Sequence, residues 1–414
     1  MSGLTGVELN KLQGGLQREK PNGDDVSCLI IGCDTTNIAA EPWTPYEITQ
    51  ILDAENLGLT AAFDANNELL VYHHISEFLR NAPDAKLYFI AGNIGDSDYS
   101  MLGTSVPLLR NKSIRLIAIA NGEYEPNTSH NECQAIINAL SLDNIFIDAV
   151  LLEGNGVSFR EHGDSDGLPI SIVNYDDLRQ LNCPNVSTVI CQDPIQNVVL
   201  GTEFNNSAAM GTVLGQLAVR GVHENLGSTD IERKPKKSIG SDDYPLDSEV
   251  PLRFPTAHLT NGIDTSLLSN TDLESMTLKG YILAAAFSEY SGFFLNGSPT
   301  SVELVSDYAY IEQNRIWNKA ARGVRAALIP RVRSSLRVNP TTGYLLTSTA
   351  VSLEEIAKKP LQSMLTAEEI SGYKIYINPA QSPNDATPLV VKLQILANSI
   401  LHEFAVNIGF ASSL

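Results

Sequence analysis

The most chemically suggestive string in this 414-residue chain is Gly163-Asp164-Ser165-Asp166-Gly167, with His162 directly before it. It matches G-x-S-x-G, in which a serine nucleophile sits on a sharp turn between a buried strand and a helix. The flanks here, SFREH and LPI, supply neither element, so the string reads as a solvated turn. His73, His74 and Glu77 share helical spacing and could ligate a metal, but no further imidazole or cysteine lies nearby in sequence. They belong to an amphipathic run, NELLVYHHISEFL, and read as histidines on a core helix. His130 with Cys133 could form a thiolate pair, yet no third group to orient the base is identifiable. CLIIGCDTTN has one glycine after a strand, and EGNGVSF has two but no third glycine or following helix, so neither is a phosphate loop. Gly211 and Gly215, four apart, suit close helix packing better than a ligand. No constellation argues positively for an enzyme, a cofactor or a metal.

The elements around these residues alternate short apolar runs with helical ones. Strand candidates are 28–33, 86–92, 114–120, 148–154 and 186–193, with helices expected at about 45–57, 67–82, 128–143, 174–182 and 206–226. Thr44-Pro45-Tyr46-Glu47 is a capping box with proline at the first helical position, which predicts that the first helix starts there. Continuous apolar strands between helices imply an α/β fold (α+β overall) with a mostly parallel, covered sheet in the N-terminal half. Residues 232–249, ERKPKKSIGSDDYPLDSE, read as a polar linker. Beyond it we expect a helix near 270–286, a hairpin turning at Asn296-Gly297, a long helix from about 306, and capping boxes at Ser352–Glu355 and Thr366–Glu369. The expected organisation is an N-terminal arm (1–25), an α/β domain (26–231), the linker (232–249), a C-terminal core region (250–397) and a C-terminal strand arm (398–414).

Composition excludes several classes. A net charge of −20 argues against nucleic acid as a partner. The longest near-apolar stretch, Leu278 to Leu295, is broken by Lys279, Ser288 and Glu289, so no membrane insertion is expected. MSGLTGVELNKLQGG lacks the basic and apolar regions of a secretory signal, and five cysteines without CxxC spacing suit reduced thiols in a cytoplasmic setting. Cys28, Cys33 and Cys191 read as small core residues.

Two features remain. In EFAVNIGFASSL, Phe404, Val406, Ile408 and Phe410 alternate with smaller or polar residues, the pattern of a strand with one buried face. Between Arg315 and Arg337 lie seven basic residues and no acidic one. On a helical wheel Arg315, Lys319 and Arg322 share an arc opposite Ile316, Ala320, Val324 and Ala327, which predicts cations facing outward.

SDYAYIEQNRIWNKAARGVRAALIP, then NPTTGYL, YKIYINPAQSP, PLVVKLQIL and ILHEFAVNIGF, resembles the C-terminal half of contractile tail sheath proteins. LDAENLGL, ISEFL, LYFIAG and GTVLGQLAVRGVHENLG fit the N-terminal half less specifically. The likeness covers most of the chain but contains no catalytic signature. It implies a structural subunit, not an enzyme, of a bacteriophage tail or a phage-derived contractile injection system. Copies would form hexameric rings stacked helically around an inner tube protein, with a baseplate and a tail terminator at the ends. Assembly would occur in the bacterial cytoplasm, and contraction would drive the tube through a target envelope. N- and C-terminal segments would share one core domain, and the terminal arms would exchange strands with neighbours. The arm residues would be Phe404, Val406, Ile408 and Phe410, and the tube-contacting residues Arg315, Lys319, Arg322 and Arg325. The alternative is an α/β enzyme or ligand-binding protein whose crevice is lined by Cys33, Asp34, Thr35, Asn93 and Glu153 at the strand carboxyl ends.

Overall fold

The computed structural model describes residues 23–110, 113–154, 175–192, 207–229, 257–260, 262–384, 387–402, 404 and 406. Seven strands form its main sheet: β1 (Ser27–Gly32), β2 (Tyr46–Ile48), β3 (Leu87–Gly92), β4 (Leu116–Ala120), β5 (Ala149–Glu153), β6 (Val186–Val189) and, after the short pair β7 (Cys191–Gln192) and β8 (His258–Leu259), β9 (Tyr281–Ile282). Their order is β2-β3-β1-β4-β5-β6-β9, and every pairing is parallel except that of the edge strand β2.

Alternate residues of the central strands feed two cores. Leu29 and Ile31 of β1 face α1 (Ile51–Asn56), α2 (Ala61–Asn67), α3 (Val71–Asn81) and α6 (Met210–Val219). Cys28 and Ile30 face α4 (Asp98–Leu109), α5 (Pro126–Leu142) and α7 (Asn270–Leu278). Burial on both sides is why these strands read as unbroken apolar runs. Gly211 and Gly215 bring α6 against α3: a Cβ on Gly211 would lie 2.0 Å from the His74 carbonyl oxygen. Cys28, Cys33 and Cys191 are buried in the core as free thiols.

Several local expectations give way to tertiary pairing. Thr44-Pro45-Tyr46-Glu47 starts no helix, because Tyr46–Ile48 pairs along Leu87–Phe89 of β3. The helix begins at Ile51, where the Asp53 carboxylate accepts the Thr49 and Gln50 backbone N–H groups at 2.8 and 3.1 Å. The run over 67–82 splits at Glu68, which takes a left-handed conformation (φ 55°). The expected 174–182 helix is one 3₁₀ turn, Leu178–Leu181. The long helix expected near 270–286 ends at Leu278, and β9, β10 (Ala284–Phe287) and β11 (Tyr290–Leu295) follow. That hairpin turns at Ser288-Glu289, not at Asn296-Gly297. The Asn296 side chain instead holds Leu283 N–H and the Tyr281 carbonyl.

The C-terminal portion contains α8 (Ile311–Leu328), α9 (Thr347–Thr366) and the antiparallel pair β12 (Ile370–Tyr376) and β13 (Lys392–Ala397). Ser352 lies inside α9 and Thr366 ends it, because buried Ala350, Leu353, Ala357, Leu361 and Met364 carry one apolar stripe straight through. Ile316 and Ala320 of α8 pack with Ala357, Leu361, Ile370 and Ile375. The expected linker is 232–249. That segment lies outside the described residues, but Leu259, Met276, Tyr281, Ile282 and Leu295 beyond it return to the two cores of the main sheet.

Candidate functional site

The chemically suggestive residues are absorbed by the fold. His162 and Ser165 lie outside the described residues. His74 is buried, its Nδ1 accepting the Gly211 N–H at 3.4 Å, and Glu77 pairs with Arg80 at 2.8 Å. Among the described residues no group of three His, Cys, Asp or Glu is arranged to hold a metal. Burial pushes the Cys133 thiol well above its ordinary range, which opposes a thiolate pair with His130. His130 instead ends a buried relay: Tyr124 OH meets Thr188 Oγ1 at 3.0 Å, Thr188 Oγ1 meets His130 Nε2 at 3.0 Å, and His130 Nδ1 meets the Pro126 carbonyl at 2.6 Å.

The crevice at the strand carboxyl ends is equally committed. Glu153 accepts the Asn121 and Ala208 backbone N–H groups at 2.6 and 2.7 Å, and burial raises its pKa to about 7. Burial likewise pushes the Cys33 thiol up to about 12. Asp34 is fixed by the Thr36 backbone N–H at 2.9 Å, and Asn93 donates to Asp96 at 3.1 Å. These acids and amides tie loops together.

α8 occupies the opposite end of the sheet. Asn314 donates to the Pro184 carbonyl at 2.7 Å and Asn318 to Asp148 at 2.8 Å. Arg322 bridges Asp148 (2.9 Å) and Asp24 (2.8 Å), while Lys319 bridges Asp24 (2.7 Å) and Glu369 (2.5 Å). Pro184, Asp148 and Asp24 precede β6, β5 and β1, so the helix crosses the amino ends of three parallel strands. Arg315 is only 1% exposed, and its guanidinium donates to the carbonyls of Leu217, Arg220 and Gly221 at 3.1–3.2 Å.

The expected outward presentation of Arg315, Lys319 and Arg322 is therefore corrected. A wheel treats the face opposite the apolar stripe as solvent, whereas here that face meets the sheet and the end of α6. Arg325 alone of the four is exposed, donating to Asn144 Oδ1 at 2.9 Å. Sequence reasoning missed Asp24, Asp148 and Glu369 as partners. Their signal was indirect: a run of cations without local acids needs acids from elsewhere.

The exposed side of this region is the β12–β13 pair and the chain after it. Among the described residues neither outer strand edge has a partner. His402 stacks on Tyr310 with ring centroids 5.1 Å apart. Phe404 is 78% and Val406 73% exposed, and neither joins a strand of the subunit. Ile408 and Phe410 lie outside the described residues.

Residues 307–414 match the family model of the DUF2586 C-terminal domain. No curated protein is similar to the chain in sequence. Its structure is similar to that of the anti-feeding prophage (AFP) helical sheath in its contracted state, with a TM-score of 0.61, 14% identity and full coverage of both chains. A chain of the AFP baseplate gives 0.60 at 13% identity, covering 99% of this chain and all of that one. The contracted PVC sheath of an extracellular contractile injection system gives 0.59 at 13% identity, covering all of this chain and 99% of that one. The chain has the sheath fold.

Proposed function

We propose that the chain is the structural subunit of a contractile sheath. Copies assemble as six-membered rings stacked helically around an inner tube, bounded by a baseplate and a tail terminator, in the tail of a virion or injection particle built in the bacterial cytoplasm. The observation that supports this best is the full-length likeness to two contracted sheaths. The subunit needs no catalysis for this role.

The tail supplies the link between copies. A strand edge without a partner invites strand addition, and apolar side chains held in water favour it. Burying Phe404, Val406, Ile408 and Phe410 contributes roughly 6–12 kcal/mol as an upper bound. Association costs roughly 4–15 kcal/mol, so one arm is marginal and many arms in a lattice are strong. Contraction is then rigid-body rotation about the arms. With Arg315, Lys319 and Arg322 engaged inside the chain, the tube contact falls to other residues.

Negative-stain microscopy of the concentrated full-length protein tests the reading. Rings, tubes or hollow polymers are expected, with a tube protein recovered from native particles. Compact single particles at every concentration would overturn it.

A further inference from the structure

Two sets of loops in the subunit carry opposite charge. The loops at the carboxyl ends of β1, β3 and β4 (33–45, 93–97 and 121–125) carry Asp34, Glu41, Asp96, Glu123 and Glu125 and no lysine or arginine. They adjoin one another: Cys33 N–H donates to the Gly92 carbonyl and Glu123 N–H to the Asp96 carbonyl, both at 3.1 Å. The loop leaving α8 at the other end, 329–346, carries Arg331, Arg333 and Arg337 and no acid. All three arginines are exposed, and among the described residues no carboxylate pairs with them. Arg333 holds a left-handed backbone (φ 63°), unusual for a residue with a Cβ. Beside it runs a groove of about 290 Å³ lined by Arg331, Arg337, Ser334, Ser348, Thr349 and Ser352, donors suited to carboxylates.

These ends cannot neutralise each other within one copy. Strands of five or six residues separate them by about 20 Å, while charges in water are screened beyond about 8 Å at physiological ionic strength. We propose that the arginine loop Arg331–Arg337 docks on the carboxylate-bearing loop end, Glu41 and Glu123 included, of a second copy of this chain. The occupant follows from charge complementarity: a chain of net charge −20 offers carboxylates on every neighbour, and this loop is its exposed cationic counterpart. Such a contact is head-to-tail, so it propagates into rings or helical stacks and does not close on itself as a dimer. The proposal rests on the sheath reading, to which it adds a contact independent of the C-terminal arm.

Two full-length charge variants test it. Arg331→Glu with Arg333→Glu reverses the loop, and Glu41→Lys with Glu123→Lys reverses its partner at exposed carboxylates that make no hydrogen bond among the described residues. Melting curves check that both remain folded. By sedimentation velocity at low salt, each variant alone is expected to associate at least about tenfold more weakly than wild type, and an equal mixture of the two to regain association. Wild-type association of either variant alone, or no recovery on mixing, would overturn the proposal. So would a loop variant that self-assembles normally but no longer binds a tube. Small head-to-tail oligomers without rings or tubes by microscopy would uphold the contact while the sheath reading falls; normal wild-type polymers with indifferent variants would do the reverse.

Discussion

Lys319 Nζ lies 2.7 Å from Asp24 Oδ2, fastening the segment just before β1 to a helix of the C-terminal half. The same ammonium holds Glu369, the residue before β12, at 2.5 Å. One cation therefore ties down the start of the first sheet strand and the start of the C-terminal hairpin.

Lys319→Met should strip Glu369 of its cation and leave Asp24 with Arg322 as its remaining ion-pair partner among the described residues. All three side chains are mostly buried, so we expect a loss of about 1–3 kcal/mol in urea unfolding. Adding Asp24→Asn and Glu369→Gln should restore much of it. Additive losses in the triple variant would mean that the three side chains do not interact.

Gly211→Ala should be costlier than Gly215→Ala. A Cβ at 211 meets the His74 backbone at 2.0–2.6 Å, which cannot yield without moving α6 off α3. At 215 the nearest atoms are at 2.9–3.2 Å. Losses of about 3 and about 1 kcal/mol are expected from chemical denaturation, and the reverse order would refute the close-approach account.

His130 should make the fold acid-sensitive. Burial lowers its pKa to about 4, below the unfolded value of about 6.5. Between those values the unfolded chain binds a proton that the folded chain refuses, so stability falls as pH drops from about 6.5 to about 4. The loss approaches about 3 kcal/mol, because burial disfavours the imidazolium. Glu153, with its pKa raised to about 7, contributes the opposite slope, so the comparison must be between wild type and His130→Gln. Parallel pH profiles for the two proteins would exclude His130 as the source.

Removing residues 403–414 should leave the subunit stable while abolishing polymers. Asn398 and His402, which bond to Glu368 and stack on Tyr310, are retained. The free energy of unfolding should shift by less than about 0.5 kcal/mol, because Phe404 and Val406 are mostly exposed in the subunit. A large drop would place the tail in its own subunit's core. Polymers of normal length would remove the arm from the assembly mechanism.

Much of the architecture follows from local pattern. The apolar runs at 28–33, 86–92, 114–120, 148–154 and 186–193 became β1, β3, β4, β5 and β6, since a strand buried on both faces writes that burial into consecutive residues. The small residues of α6 likewise announced its close packing on α3. Partnership between remote residues was not written locally. Tyr46–Ile48 overlaps a good capping box yet becomes a strand, because β3 offers it hydrogen bonds. The wheel of α8 correctly places Ile316 and Ala320 against α9, but the destination of its cations depends on Asp24, Asp148 and Glu369, brought there by three different elements. Hydrophobic periodicity is a property of neighbouring residues and survives in the sequence. Which buried charge meets which is decided only once the chain has folded, when desolvation forces each cation to find whatever acceptor the packing has placed beside it.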